Sequence, residues 1–409
     1  MKNKCLTPIV YSVILAVGVL FGIYIAKSNG VVAEDSGNNS LFIDDIFSLI
    51  DNEYVDTVNM KDLQMKTITS MLESMDPHSE YIKPEILDEV NESLKGSFHG
   101  IGVSFRIEKD TITIINTIKG GPSEKVGIMA GDRIIYVGDS LVAGNKVTNK
   151  TAMSLLKGER GTMIDVKIKR RGVDGLLDFT IKRDVIPTYS VDISYMIDDE
   201  IGFIKITKFS ATTHKEFVQA IKKLKSEGMT KLILDLRDNT GGYLGEGVGV
   251  VDELLPDNNL IVYTQGEHRD RSYIFSRHRG LWENNDVVVL INEGSASASE
   301  IVAGALQDND RGVIIGRRSF GKGLVQEQFD LGENGALRLT IARYYTPTGR
   351  CIQKPFSGDK KEYLLEEYSR YESGEMFNVD SIHFADSLKY ITPGGKVVYG
   401  GGGIMPDIF

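Results

Sequence analysis

Two short stretches carry residue types that could together cleave an acyl bond. Gly294-Ser-Ala-Ser-Ala-Ser-Glu300 places serines where a helix should begin, and Ser319-Phe-Gly-Lys-Gly323 places a lysine on a glycine-flanked turn. A serine hydroxyl needs a base, and a lysine serves as one only when its amine is neutral near pH 7. Lowering a lysine from ~10.4 to ~7 takes about 4–5 kcal/mol, which burial away from carboxylates supplies. Glu300 or Asp308 would spoil this by reaching Lys322. Ser297 and Glu300 also fit the S-x-x-E capping box, in which a serine caps the first turn and a glutamate reaches back. The roles are compatible, because a helix N-terminus offers free N–H groups and partial positive charge to an oxyanion. The alternating alanines leave room for a substrate backbone.

Competing motifs are weaker. Ser319-Phe-Gly-Lys322 and Ser154-Leu-Leu-Lys157 both satisfy S-x-x-K, but glycines disfavour a helix at the first, and two hits in one chain show how common the pattern is. Gly245-Glu-Gly-Val-Gly249 lacks dinucleotide-loop spacing. The six histidines form no H-E-x-x-H and flank no G-x-S-x-G elbow. No metal or cofactor is expected.

The elements that must position these residues come from an alternating pattern that begins near Val185. Ile201–Ile206, Lys231–Leu236, Leu260–Tyr263, Val287–Ile291 and Val313–Ile315 are apolar runs of buried-strand length. Helical spacing fills Thr213–Lys225, Glu246–Leu255 and Ser297–Gln307 between them, which predicts a layered α/β core. Three of these strands run into the chemical segments: Lys231–Leu236 into Gly241-Gly242, Val287–Ile291 into the serines, and Val313–Ile315 into the lysine turn. Adjacent strands would bring all three loops to one sheet edge. Ala336–Tyr345 reads as a longer strand, and Pro355–Tyr390 as a polar insertion without a decisive period.

Upstream, 41–95 shows helical spacing over Leu41–Val55, Asp62–Met75 and Pro84–Leu94. From Gly96 to 184 the pattern turns to short strands (Ile101–Ile107, Thr111–Ile118, Arg133–Val137, Met163–Lys169) with one helix, Thr151–Leu156. With Gly100-Ile-Gly102 and the run Gly121–Asp132, this β-rich unit resembles a PDZ domain. The resemblance implies that backbone N–H groups of Gly100, Ile101 and Gly102 capture a peptide carboxylate while the peptide adds a strand.

The 409 residues suffice for two or three domains, and a net charge of -10 without basic runs argues against nucleic acid as a partner. Pro8–Ala26 is 19 residues without a charge, between Lys2 and Lys4 on one side and Lys27 on the other. As a helix it would rise about 28 Å, close to the hydrocarbon thickness of a bilayer. It is expected to be a transmembrane signal anchor (1–27), with a Gly/Asn/Ser-rich linker (28–40) and everything beyond outside the cytoplasm, in the periplasm or cell envelope; cleavage near Ala33 would instead release an exported protein. Cys5 and Cys351 are not expected to pair.

Taken together, the chain from 41 to 409 resembles the carboxy-terminal processing (tail-specific) protease family. The likeness rests on Asp76-Pro-His-Ser-Glu-Tyr81, the PDZ-like unit, Asp235-Leu-Arg-Asp-Asn-Thr-Gly-Gly242, Ser295-Ala-Ser-Ala-Ser-Glu-Ile301, Phe320-Gly-Lys-Gly-Leu-Val-Gln326 and Gly403-Ile-Met-Pro-Asp407. Ser319 stands where the family usually has threonine. The resemblance implies a core of the crotonase-like or ClpP-like kind at 185–409, with the PDZ domain inserted and the helical region before it. It makes Ser297 the nucleophile, Lys322 the general base and Gln326 the residue that orients the lysine. The oxyanion hole would use backbone N–H groups of Ala298 and of Gly241 or Gly242, Gly242 being preferred. Expected partners are protein substrates with free C-termini and the membrane, and the helical region offers a surface for homo-oligomerisation. The alternatives are an inactive PDZ peptide-binding scaffold, or a β-lactam-binding cell-wall hydrolase built on the S-x-x-K hits.

Overall fold

The structure is a computed structural model that describes residues 38–409 except His278. The expected anchor at 1–27, the expected linker up to residue 37 and Cys5 lie outside the described residues, among which no helix is long and apolar enough to cross a membrane. The chain divides into two compact units at Met71 and Leu72. Helix Asn38–Glu53 and most of helix Met60–Met75 make up the described part of the first.

The second unit contains the core. Five strands lie side by side in chain order: β1 (Val191–Met196), β2 (Ile201–Ile206), β3 (Lys231–Asp235), β4 (Asp286–Ile291) and β5 (Val313–Gly316). β1 is antiparallel to β2, and the rest are parallel, with Leu234 beside Val289 and Val289 beside Ile314. Helices α1 (Thr213–Ser226), α2 (Leu244–Asp252) and α3 (Ala298–Asp308) supply the crossovers. α1 buries Phe217, Ala220, Ile221 and Leu224, the stripe its sequence spacing predicts. α3 is buried at every position, so its alanines and Gly304 are packing choices: a Cβ at Gly304 would lie 2.9 Å from Thr346.

Leu260–Tyr263 departs from the expected core sheet. Extended to Leu260–Gly266, it pairs with Arg269–Phe275 and with Ala336–Tyr345 in a second, antiparallel sheet, because a hairpin returns it on itself. Leu324–Asp330 and Glu80–Ile82 join that sheet beside Ala336–Tyr345. Residues 97–187 form the strand-rich unit, closed by pairing of Ser97–Gly100 with Asp184–Pro187 and filled by its own cluster around Ile112, Ile134, Val166 and Ile168.

Inside the insertion, helix α4 (Lys360–Glu372) is inverted. Tyr363, Glu366 and Arg370, spaced for one face, turn inward, with Tyr363 and Arg370 buried, while Leu364, Leu365, Tyr368 and Tyr371 are exposed. A second buried ionic centre sits at the end of α3. Arg350 and Asp308 are fully buried and 2.7 Å apart, and Arg350 also donates to Gln307 at 2.6 Å and to the Tyr399 carbonyl at 2.8 Å. Replacing Arg350 with Met would strand the Asp308 charge. We expect a loss of roughly 3–5 kcal/mol in urea unfolding, and a loss below about 1 kcal/mol would show that the pair does not hold this end of the core.

Candidate active site

The C-terminal ends of β3, β4 and β5 deliver the three chemical segments to one edge, as their adjacency requires. The loops are tied together by their backbones: Ala296 N–H donates to the Asn239 carbonyl at 2.9 Å, and Phe320 N–H to the Ser295 carbonyl at 3.0 Å.

The three serines have different fates. Ser295 and Ser299 are fully buried and donate to the Leu236 and Asn239 carbonyls, both at 2.8 Å, so their hydroxyls are spent on the β3 loop. Ser297 alone is partly exposed, and its backbone sits at φ 55° and ψ −113°. A side-chain-bearing residue there costs about 1–3 kcal/mol unless its surroundings impose it. Such a strained turn lifts a serine hydroxyl clear of its helix. Gly241 makes it fit, since a Cβ on Gly241 would lie 2.7 Å from the Ser297 Cβ.

Glu300 imposes the turn. Its carboxylate is fully buried and accepts Ser297 N–H at 2.8 Å, the glutamate arm of the capping box. The same carboxylate accepts Lys322 N–H at 2.9 Å, Gly321 N–H at 2.7 Å and the Ser319 hydroxyl at 2.5 Å. Burial pushes Glu300 up to about 7 against these four donors. Glu300 therefore does reach Lys322, but at its main chain. Asp308 is committed to Arg350. Tyr344, buried, closes the bracket from the other side, its hydroxyl 2.6 Å from the Lys322 carbonyl and 3.1 Å from that of Ser297.

The Lys322 amine donates to Gln326 Oε1 at 2.8 Å, and Gln326 Nε2 donates to the His78 carbonyl at 2.5 Å. The carbonyl is presented by an Asp76-centred turn, in which Asp76 accepts the N–H groups of His78 and Ser79, both at 2.8 Å. Burial is the main force lowering Lys322, helped by the Arg338 charge and opposed by Glu80, Glu300 and Asp76. Burial, with the Lys322 charge next, takes the His78 imidazole down to about 3, so it is neutral at pH 7.

Ser297, Lys322, Gln326, Gly241 and Gly242 share one cavity of about 510 Å³, walled by Val90 and Leu94 of helix Pro84–Lys95 and by Tyr243, Ile301, Leu324 and Arg338. That helix buries no residue, so its apolar stripe forms a cavity wall rather than core. Gly241 N–H is already given to Asn239 Oδ1 at 2.9 Å, which removes Gly241 from the expected anion donors in this conformation. The N–H groups of Gly242 and Ala298 have no acceptor among the described residues. Gly242 is held by a parallel bridge to Phe209, whose carbonyl would sit 2.0 Å from a Cβ there. A serine, a desolvated amine and unspent N–H groups around one cavity can carry acyl transfer.

In the strand-rich unit the Ile101 carbonyl accepts Ser123 N–H and Oγ at 3.0 and 2.7 Å, and Gly102 has φ 72°. The N–H groups of Ile101 and Gly102 have no acceptor among the described residues. The S-x-x-K hits are closed: Ser319 Oγ is held between Glu300 and Ile404 N–H (2.6 Å), Ser154 Oγ donates to the Thr151 carbonyl at 2.9 Å, and Lys157 pairs with Glu92 at 2.7 Å. Sequence reasoning missed Tyr344, which no motif marks, and the work of Asp76 and His78, whose motif was visible without a role. It saw Glu300 as a cap and as a threat to the lysine, without its role in tying the lysine turn to the serine turn.

Glu300→Gln tests the bracket. An amide places N–H against two of four donors, and Ser319 Oγ cannot relieve both, so at least one backbone N–H loses its acceptor. We expect about 1–3 kcal/mol of destabilisation by chemical denaturation, and unchanged stability would contradict the assignment.

Comparison with known proteins agrees with this architecture. Residues 200–359 match the model of peptidase family S41 and residues 100–181 that of the PDZ domain. The chain is 40% identical over 314 residues to the carboxy-terminal-processing protease of Bartonella bacilliformis, covering 76% of this chain and 71% of that one. It is 33% identical over 325 residues to the carboxy-terminal processing protease CtpA of Bacillus subtilis, covering 79% and 69%. Among solved structures it is similar to the photosystem II D1 C-terminal processing protease, at 26% identity and a TM-score of 0.43 over 77% of this chain and 90% of that one. The chain belongs to peptidase family S41 and is a PDZ-bearing serine protease of the carboxy-terminal processing kind.

Proposed function

We propose that the chain is an endopeptidase, anchored in the membrane and acting outside the cytoplasm, that recognises the C-terminal region of protein substrates and cleaves them with Ser297 and Lys322. The observation that carries this reading is the shared cavity in which the one accessible serine of three meets a lysine held by an uncharged glutamine. Ser297 Oγ adds to the scissile carbonyl as its proton passes to the Lys322 amine. The oxyanion is received by Gly242 and Ala298 N–H groups. Collapse breaks the C–N bond, Lys322 returns the proton to the leaving amine, and water, deprotonated by the same lysine, hydrolyses the acyl-enzyme. A core of the crotonase-like or ClpP-like kind is part of this reading, as is a domain division at 96–184 and 185–409.

Substrate capture is assigned to the Gly100-Ile101-Gly102 loop, whose two unspent N–H groups suit a carboxylate. The uncharged run Pro8–Ala26 supports the anchor and the extracytoplasmic location, with release after Ala33 as the other outcome. The helical region before the PDZ domain is the surface assigned to self-association.

Ser297→Ala and Lys322→Ala are each expected to abolish cleavage of a peptide with a free C-terminus; near wild-type turnover in either would remove that residue from the mechanism. Amidating the peptide C-terminus should slow processing, and equal rates would discard carboxylate capture. The base must be neutral, so kcat/KM should rise with pH through a limb lying below the ordinary lysine range. Arg338→Gln removes a charge that disfavours the ammonium form and should move that limb to higher pH. No shift, or a shift to lower pH, would exclude Lys322 as the titrating base.

A further inference from the structure

The lysine turn is closed into a ring of hydrogen bonds that leaves the cavity and returns to it. Lys322 Nζ donates to Gln326 Oε1, which forces the amide of Gln326 to donate to the His78 carbonyl. At the next residue, Gly323 N–H donates to Gln353 Oε1 at 2.8 Å. That fixes Gln353 the same way round, and its Nε2 donates to the Lys354 carbonyl at 2.9 Å and to the Tyr363 hydroxyl oxygen at 3.1 Å. The Tyr363 hydroxyl lies 3.1 Å from His78 Nε2. The hydroxyl oxygen accepts from Gln353, which leaves its proton free to go to the imidazole. The His78 carbonyl, which cannot donate, and the Gly323 N–H, which cannot accept, fix the two glutamine amides, and the direction between Tyr363 and His78 depends on which tautomer the imidazole adopts.

We propose that Tyr363 and His78 are positioning residues for the lysine base, with the insertion helix α4 holding the His78 imidazole as its neutral Nδ1–H tautomer, so that the His78 carbonyl keeps Gln326 and Lys322 in place. This rests on the Ser297 and Lys322 reading. The surroundings are built for it. Tyr363 is buried, and its ring meets Phe320, His78 and Phe356 edge-on at 6.0, 5.4 and 5.9 Å. The Lys354 ammonium lies 4.0 Å from the centre of the Phe320 ring and 4.2 Å from that of Tyr363, and donates to the Tyr363 carbonyl at 3.0 Å and to Glu366 at 2.8 Å. One turn further along α4, Arg370 donates to the Arg318 and Ser319 carbonyls at 2.6 and 3.1 Å, gripping the start of the lysine turn. Burial keeps the Tyr363 phenol above its usual range, so it retains a proton to donate, and keeps His78 neutral, so that one of its ring nitrogens can accept. Neither residue lines the cavity that holds Ser297, so neither is placed to touch substrate.

Tyr363→Phe removes one hydroxyl and keeps the ring packing. We expect kcat to fall about tenfold with KM within about twofold, because a misplaced base costs chemistry rather than binding. His78→Leu should fall as far, and His78→Gln, whose amide oxygen can accept from Tyr363, should recover most of the rate. Because misfolding could mimic these losses, the tautomer is read directly in the wild-type protein by nitrogen-15 histidine NMR, with His78→Gln assigning the signal. An Nδ1–H, Nε2-unprotonated ring at pH 7 supports the proposal. An Nε2–H ring, an unchanged kcat in Tyr363→Phe, or KM rising with the loss of kcat overturns it. If Ser297→Ala remains active, the nucleophile assignment fails instead, and the tautomer measured without turnover still decides the ring.

Discussion

A single buried carboxylate joins the two halves of the candidate active site. Glu300 accepts donors from the serine turn and the lysine turn at once, and so helps to hold Ser297 in its unfavourable backbone conformation with the Lys322 main chain alongside. An acid so placed would ordinarily threaten the base by stabilising its ammonium form. Here its oxygens are saturated by backbone N–H groups and the Ser319 hydroxyl, while the lysine side chain points to a neutral amide. The same residue serves architecture through its hydrogen bonds and spares the chemistry by where those bonds go. Tyr344 repeats the linkage from the carbonyl side, so the two turns are held through both their donors and their acceptors.

The parallel strands, α1 and α3 were legible because apolar residues at fixed spacing leave few other solutions. From three adjacent strands followed the convergence of Gly242, Ser297 and Lys322, and the pairings of β3, β4 and β5 match it. The choice of Ser297 among three serines agrees with burial, since its neighbours are sealed. The choice of Gly242 over Gly241 agrees with the Asn239 contact.

What could not be read follows from residues that satisfy one another at long range. The Asp76–His78 turn, Gln326 and Tyr363 are distant from one another in sequence and meet through side-chain contacts that no local period encodes. The insertion defeated pattern reading for a sharper reason. α4 buries Tyr363 and Arg370 with Glu366 and exposes leucines, so hydrophobicity points to the wrong face. Its polar face is satisfied by Lys354 and Glu375 on either side of the helix and, through Glu366 and Glu375, by the distant Arg318.

The run Gly403-Ile-Met-Pro-Asp407 has a consequence for timing. Ile404 N–H completes the hydrogen bonding of Ser319, Gly402 accepts from Arg318, and Asp407 accepts the N–H of Ile314 on β5. The lysine turn thus leans on residues some eighty positions later. A chain made only as far as Lys322 lacks Gly402, Ile404 and Asp407, so the lysine turn gains these hydrogen bonds only after some eighty further residues have been added.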